Sequence, residues 1–151
     1  MMKSILTLLL LLGLAFRQSN EVKKWKKHNL SIGILDDRTG LSLIGYTYNV
    51  RQTNMDEYFI GGGTAGLAFT GTVGWKHYYR KSRLSISSVL CGQYIEHLSF
   101  NGFMPTFSFT LEYNLAKNTQ VKLDGILFGR TSSESGDDTL GFPFMGLNFR
   151  F

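Results

Sequence analysis

The sequence predicts an all-β fold, in which one domain of eight antiparallel strands closes into an up-and-down barrel. From His28 onward, short runs that alternate between apolar and polar residues are separated by turn segments, a pattern typical of β-barrels and sandwiches. The composition agrees, because 17 glycines, 14% aromatic residues and 2 prolines suit many strands joined by tight turns. A chain of 151 residues has room for one domain, so we assign the barrel to residues 28–151.

The N-terminus carries the features of a cleavable secretory signal peptide, which we assign to residues 1–15. A basic start at Lys3 is followed by an apolar run over residues 5–14 and by small residues suited to cleavage, which we expect by residue 19 at the latest. A membrane anchor is the alternative, although the run is about half of the ~20 residues that a spanning helix needs. Residues 20–27 are a basic tail that either presses on an anionic membrane surface or moves freely.

The eight predicted strands follow the alternating runs in chain order. We place them at residues 28–35, 40–49, 55–61, 64–79, 84–97, 105–116, 120–130 and 139–151. The run Gly61-Gly62-Gly63 is predicted to be the turn between the third and fourth strands. The alternative is one long strand from Met55 to Tyr79, which would make the number of strands odd.

The two faces of the strands differ in polarity. In strands four to seven, one face carries large apolar residues: Leu67, Phe69, Val73, Trp75, Leu84, Ile86, Leu90, Tyr94, Phe107, Phe109, Leu111, Tyr113, Leu115, Val121, Leu123 and Leu127. The opposite face carries small hydroxyls, amides and a few charges: Thr70, Thr72, Lys76, Ser85, Ser87, Gln93, Thr106, Ser108, Thr110, Glu112, Asn114, Gln120, Lys122 and Asp124. A mean hydropathy of -0.05 is compatible with this arrangement, since polar positions dilute apolar ones.

The eighth strand shows the same alternation up to the last residue. One face carries Pro143, Met145, Leu147, Phe149 and Phe151, and such a stripe suits a strand that touches lipid on one side. This ending resembles the C-terminal strand of bacterial outer-membrane β-barrels. The resemblance implies that Phe149 and Phe151 belong to an insertion signal.

These faces predict a transmembrane barrel with apolar side chains outside and polar side chains inside. The alternative is a soluble lipocalin-like barrel with an apolar interior, but its outer face would need more charges than this chain supplies. Eight strands leave an interior just wide enough for side chains, so we expect a filled lumen and no channel. The pattern of residues 28–151 resembles the small closed barrels of OmpX and OmpA.

Four charged residues are predicted to form an ion network in the lumen. Glu112 and Lys122 flank the turn at residues 116–119 and should lie nearly opposite each other, while Asp124 and Arg150 point into the same region. A catalytic role for these charges is the alternative. Aromatic residues are predicted to form a girdle at the end of the barrel that holds Phe151: Tyr46, Tyr48, Trp75, His77, Tyr78, Tyr79 and Tyr113.

The charges of the connections predict the orientation of the barrel. With Phe151 on the periplasmic side, the periplasmic turns are basic: Arg51, Arg80, Lys81, Arg83 and Lys117. The outer connections are acidic and would face lipopolysaccharide with its divalent ions: Asp36, Asp37, Glu134, Asp137 and Asp138. Solvated turns without any such role are the alternative.

One constellation could carry chemistry, since His97 and Ser99 lie two positions apart and share a strand face. This His-x-Ser spacing followed by Asn and Gly resembles the outer-membrane lipid A 3-O-deacylases, which implies catalytic roles for His97, Ser99 and Glu112. A weaker resemblance, to the lipid A palmitoyltransferases, rests on residues 36–37, 44–46, 56–59 and 149–151. The alternative is a strand-end histidine and a loop serine with no catalytic role.

Other classes of function find little support. Cys91 is the single cysteine and the three histidines are scattered, so no internal disulfide, metal site or cofactor is expected. The formal charge of +5 does not indicate nucleic acid in an exported chain without a basic helix or zinc pattern. We expect a bacterial outer-membrane protein with a structural or surface-interaction role. Its expected partners are membrane lipids, lipopolysaccharide and the barrel-assembly machinery during insertion; a lipid A-modifying enzyme is the rival function.

Overall fold

A computed structural model describes residues 26–97, 100–129 and 139–151. They form eight β-strands: β1 (His28–Gly33), β2 (Ile44–Gln52), β3 (Asp56–Ala65), β4 (Ala68–Arg80), β5 (Leu84–His97), β6 (Phe100–Asn114), β7 (Thr119–Gly129) and β8 (Thr139–Arg150). Within these ranges, no helix has the length and apolar character needed to cross a membrane.

The strands form a closed antiparallel barrel in chain order. Each strand pairs with its neighbours in sequence, and β1 pairs with β8 through partners such as Asn29 and Arg150. Backbone hydrogen bonds of 3.0 Å in both directions between His28 and Phe151 extend this closure to the last residue. The predicted all-β, eight-stranded up-and-down barrel is therefore confirmed.

Several predicted boundaries were wrong. β1 ends at Gly33 and β2 begins at Ile44, which leaves a connection of residues 34–43. The glycines at 61–63 lie inside β3, not in a turn, and they pair with β2 and β4. The turn that follows β3 contains Gly66, whose φ of 69° is the left-handed conformation that glycine adopts without strain. β3 and β4 are thus separate strands.

The outer face of the barrel is apolar. Phe107, Phe109 and Leu147 are 45%, 48% and 41% exposed, so they do not form a central core. Residues of the same kind are exposed around the barrel: Ile32, Ile44, Tyr46, Tyr58, Ile60, Phe69, Val73, Trp75, Leu90, Tyr94, Phe103, Leu123, Leu127 and Met145. We call this set the apolar belt.

The interior is mainly polar. Buried side chains with hydroxyl, amide or charged groups come from every strand: Asn29, Ser31, Thr47, Asn49, Glu57, Thr70, Thr72, Lys76, Ser85, Ser87, Gln93, Thr106, Ser108, Thr110, Glu112, Gln120, Lys122, Asp124, Asn148 and Arg150. A small apolar cluster of Phe59, Val89 and Cys91 lies among them. Tyr78 is fully buried, so its predicted place in the girdle was wrong; its parity on β4 is that of Lys76.

Candidate functional site

The connection between β1 and β2 folds back into the barrel. Asp36 and Gly40 exchange backbone hydrogen bonds of 3.0 and 2.7 Å, and Gly40 has a φ of 62°, so residues 36–40 form a tight turn. Asp36 and Asp37 are only 5% and 1% exposed. Their predicted position on the acidic outer surface was therefore wrong, because the turn buries them in the lumen. We call residues 36–40 the plug turn.

The wall of the barrel holds the backbone of the plug turn. The Thr72 hydroxyl donates a hydrogen bond of 2.8 Å to the carbonyl of Arg38, and the Thr70 hydroxyl donates one of 3.2 Å to the carbonyl of Thr39. The Thr39 hydroxyl donates at 3.1 Å to the carboxylate of Asp36 within the turn. Carbonyl groups that would otherwise be buried without a partner are thus satisfied.

Glycines on the inner wall leave room for the plug turn. A Cβ atom added at Gly45 would lie 2.3 Å from Oγ1 of Thr39, and one added at Gly63 would lie 2.5 Å from Cβ of Ser42. Side chains at these two wall positions would occupy the space that the connection now fills. This packing explains why glycines occur within a strand where they otherwise weaken it.

The first group of buried charges joins the plug turn to β4, β6 and β7. Nζ of Lys122 lies 2.6 Å from Oδ1 of Asp36 and also contacts Asp37. Nζ of Lys76 lies 2.6 Å from Oδ2 of Asp37 and also contacts Glu112. Each ammonium group therefore bridges two carboxylates, and Asp37 is held by both lysines.

The second group of buried charges joins the plug turn to β3 and β8. Glu57 accepts from Nη2 of Arg150 at 2.6 Å and also pairs with Arg38. Arg38 donates a further hydrogen bond of 2.8 Å to Asn49, and Arg150 donates one of 3.0 Å to the Tyr78 hydroxyl. Burial of unpaired charges is costly, so these contacts stabilise one position of the turn over others.

The four predicted lumen charges are all buried, and Glu112 and Lys122 lie opposite each other as expected. Glu112 and Lys122 are cross-strand neighbours, yet the nearest ion-pair partners of their charged groups lie on β4 and in the plug turn. Asp124 lies opposite Phe144 and Arg150 lies opposite Asn29, so the structure does not bring Asp124 and Arg150 together. One carboxylate oxygen of Asp124 has no hydrogen-bond partner among the described residues.

Sequence reasoning missed Arg38, Glu57 and Lys76 as members of this network. The alternation of β4 places Lys76 on the polar face, and that position was the available signal. No local pattern marks Arg38 and Glu57, because their pairing depends on a turn that leaves the strand periodicity and enters the barrel. The described residues contain no group of three or more histidine, cysteine, aspartate or glutamate side chains arranged to hold a metal ion.

The structure does not bring His97 and Glu112 together. His97 pairs with Phe100 at one end of the β5–β6 ladder, whereas Glu112 pairs with Ser85 near the other end. Twelve residues of strand separate the two levels, about 40 Å at the usual rise. Glu112 is buried against Lys76, while His97 is exposed. Ser99, the third residue of this set, lies outside the described residues.

The C-terminal residues close the barrel at the end where β2 meets β3. The ring of Phe151 stacks on His28 with centroids 5.6 Å apart and planes inclined by 10°. His28 Nδ1 lies 2.6 Å from the Tyr46 hydroxyl, so the seam carries polar as well as aromatic contacts. The insertion-signal role of Phe149 and Phe151 stays a prediction.

Basic groups surround this same end. Lys26 donates a hydrogen bond of 2.7 Å to Asn118, and partial burial, followed by repulsion from Arg150 and Lys117, lowers the pKa of Lys26. Burial also lowers the pKa of Lys81, whose ammonium lies 4.4 Å from the centroid of the Tyr78 ring. Both lysines belong to a rim on which neighbouring cations repel each other.

Comparisons with known protein families and with curated proteins find no match to this chain in either case. The class is therefore defined by geometry: a closed eight-stranded barrel with an apolar outside, a polar inside and a turn folded into its lumen.

Proposed function

We propose that this protein is an integral β-barrel of the bacterial outer membrane, with a filled, non-conducting lumen and a structural or surface-interaction role. The observation that carries the proposal is the polarity of the two faces. Large apolar residues of the belt are exposed, while charged residues such as Lys76 and Lys122 are fully buried. In water an apolar surface of this extent would drive association, whereas in lipid it is the favourable outer face.

The contents of the lumen support the non-conducting state. The plug turn and its ion pairs occupy the space within an eight-stranded wall, which is narrow even without them. Water and ions would have to displace paired buried charges in order to pass. A role in which the barrel presents its outer end and its lipid-facing surface fits this arrangement better than solute transport does.

The proposed partners follow from the same surfaces. The belt would contact membrane lipids, and the end that contains the β3–β4 turn would face lipopolysaccharide. The barrel-assembly machinery would recognise the terminal strand with Phe149 and Phe151 during insertion, after the signal peptide at residues 1–15 has directed export. The basic rim with Lys26 and Lys117 would lie against the anionic headgroups of the inner leaflet.

Gel migration and conductance measurements test the proposal. Expressed in a Gram-negative host, the protein should fractionate with the outer membrane and migrate faster on an unheated gel than after boiling, because a folded barrel resists the detergent. In planar lipid bilayers the folded protein should add no stepwise conductance. Recovery in the soluble fraction would contradict the membrane location, and stepwise currents would contradict the filled lumen.

A further inference from the structure

An acidic, a basic and a hydroxyl side chain lie in one row across three strands. Asp56 of β3 is the cross-strand partner of His77 in β4, and His77 is the cross-strand partner of Ser88 in β5. The adjacent pair on the same face, Trp75 and Leu90, is exposed, so the row belongs to the outer face of the barrel. It lies near the β4–β5 turn, at the end of the barrel that holds the C-terminus.

The first two members of the row are joined by a hydrogen bond. Nδ1 of His77 lies 2.8 Å from Oδ1 of Asp56. Trp75 Nε1 donates to the same oxygen at 2.9 Å, and the Thr53 hydroxyl donates to Oδ2 at 3.1 Å, so both carboxylate oxygens are held. An anchored carboxylate on Nδ1 leaves Nε2 of His77 as the nitrogen that can accept a proton.

The third member lies beside the histidine and near an aromatic ring. His77 and Ser88 are cross-strand partners, whose Cβ atoms lie about 4.5–5.5 Å apart in antiparallel pairs, so a change of side-chain rotamer would bring the imidazole to the serine oxygen. Ser88 is 8% exposed, and its Oγ lies 3.1 Å from the hydroxyl of Tyr79. The Tyr79 ring packs edge-on against His77, with the ring centroids 5.1 Å apart.

A β-bulge explains the position of Tyr79. The register of β4 on β5 shifts between Tyr78 and Arg80, so Tyr79 is the extra residue of the bulge. Its hydroxyl therefore reaches Ser88 from the side. The Tyr79 hydroxyl can donate a hydrogen bond to the Ser88 oxygen or accept one from it.

We propose that Asp56, His77 and Ser88 form an ester-hydrolysing site on the outer face of the barrel, with acyl esters of membrane phospholipids as substrates. Ser88 Oγ would bond to the ester carbonyl carbon while its proton passes to Nε2 of His77. The carbon–oxygen bond to the alcohol then breaks, and His77 returns the proton to the departing alcohol. Water repeats the sequence, releases the fatty acid and restores Ser88.

The surroundings select the class of substrate. Trp75, Tyr79 and Phe109 lie around the row, and they belong to the apolar surface that would contact lipid. The basic rim with Lys81 is close by and would attract an anionic headgroup. The substrate class, though not the arrangement of the three residues, rests on the proposed membrane location.

Labelling of the wild-type barrel tests the nucleophile. Protein folded in detergent micelles is treated with a fluorophosphonate probe, which reacts with activated serines, and the adduct is located by peptide mass spectrometry. We expect one adduct, on Ser88, that forms on the folded barrel and is lost after boiling. Absence of an adduct on Ser88 in protein that migrates as a folded barrel would overturn the proposal.

Variants separate the roles of the three residues. Ser88→Ala should abolish labelling, and His77→Asn should slow it at least about 100-fold, because the base is lost. Asp56 is a positioning residue, so Asp56→Asn should slow labelling while Asp56→Glu restores part of it. Ser82→Ala and His28→Asn, which alter a rim serine and another hydrogen-bonded histidine, should label like the wild type. Equal labelling of His77→Asn and the wild type would contradict the proposed base.

Hydrolysis assays distinguish this proposal from the membrane proposal. One arm uses a water-soluble nitrophenyl acyl ester and the other uses vesicles of phosphatidylethanolamine and phosphatidylglycerol, with fatty acid release as the readout. Release from vesicles that Ser88→Ala abolishes supports both proposals. Hydrolysis of the soluble ester alone supports the three residues but contradicts the lipid substrate. A folded, membrane-inserted barrel that cleaves neither contradicts the site and leaves the membrane location intact.

Discussion

Lys122 is the residue that most directly connects the plug turn to the barrel wall. Its ammonium lies between Asp36 and Asp37, and both carboxylates are buried. Removal of this cation leaves the desolvated carboxylate of Asp36 without its ion-pair partner and leaves Asp37 with Lys76 alone. The loss therefore exceeds the modest net value of an exposed ion pair.

We predict that Lys122→Met lowers the free energy of unfolding by about 3–5 kcal/mol, because methionine keeps the volume but leaves Asp36 without its ion-pair partner and Asp37 with Lys76 alone. The measurement is urea unfolding of the folded barrel in lipid vesicles, followed by tryptophan fluorescence. Lys117→Met is the matched control on an exposed turn, and it should change the value by less than about 0.5 kcal/mol. Similar effects of the two changes would show that the buried pairs contribute no more than surface charge.

At the scale of residues, the sequence predicts the strand face on which a charged side chain lies, but not the charged group with which it pairs. Alternation on β6, β7 and β8 indicates that Glu112, Lys122 and Arg150 share the polar face, and all three side chains are buried. Which charge meets which depends on distances across the closed lumen and on the plug turn. Neither is encoded in the period of a strand. The same limit hides the row Asp56, His77 and Ser88, since its members meet only through the register of three strands.

At the scale of elements, the β1–β2 connection and the glycines of β2 and β3 form one packing unit. A polar connection and a glycine run both look like ordinary turns in sequence, which is why Asp36 was expected in solvent and Gly61 in a turn. In the structure the glycines leave the volume into which Thr39 and Ser42 fit. The packing role of the glycines and of the connection is evident only in the structure, where the turn lies against the barrel wall.

We predict that Gly45→Ala destabilises the barrel by about 1–3 kcal/mol, because the new methyl group overlaps Thr39 and forces the plug turn to shift. Gly71→Ala is the matched control, since a Cβ there has nothing within 4 Å, and its effect should stay within about 0.5 kcal/mol. Urea unfolding of both variants provides the comparison. Equal stability would mean that the wall does not depend on the space left at Gly45.

At the scale of the whole molecule, the polar faces of the strands lie inside the barrel and the apolar faces lie outside. Alternation along strands four to seven was sufficient to predict the all-β class and the closed barrel, because both faces repeat over many residues. Strand ends were harder to predict: β5 ends at His97 as expected, but β6 begins at Phe100 and not at residue 105. The alternation of apolar and polar residues does not reveal where a strand ends when the same alternation continues through the turn.

Arginine substitutions at two depths test whether the apolar surface faces lipid, as proposed. Leu123 in the middle of β7 and Leu115 at the β6–β7 turn are both 54% exposed. In a bilayer, Leu123→Arg should cost about 2–4 kcal/mol and Leu115→Arg about 0–1 kcal/mol, because only the former places a charge in the hydrocarbon. The measurement is reversible unfolding from vesicles. Equal, small costs at both positions would indicate an aqueous surface.

The seam between β1 and β8 also constrains how the protein is made. Residue 29 has its strand partner at residue 150, so the first strand has one unpaired edge until nearly the whole chain has been synthesised. The barrel therefore cannot close before β8 has been synthesised. Its folding involves the long loop closures that slow β-proteins. Until residues 29 and 150 meet, the chain exposes two unpaired strand edges, and such edges are prone to pair with other chains.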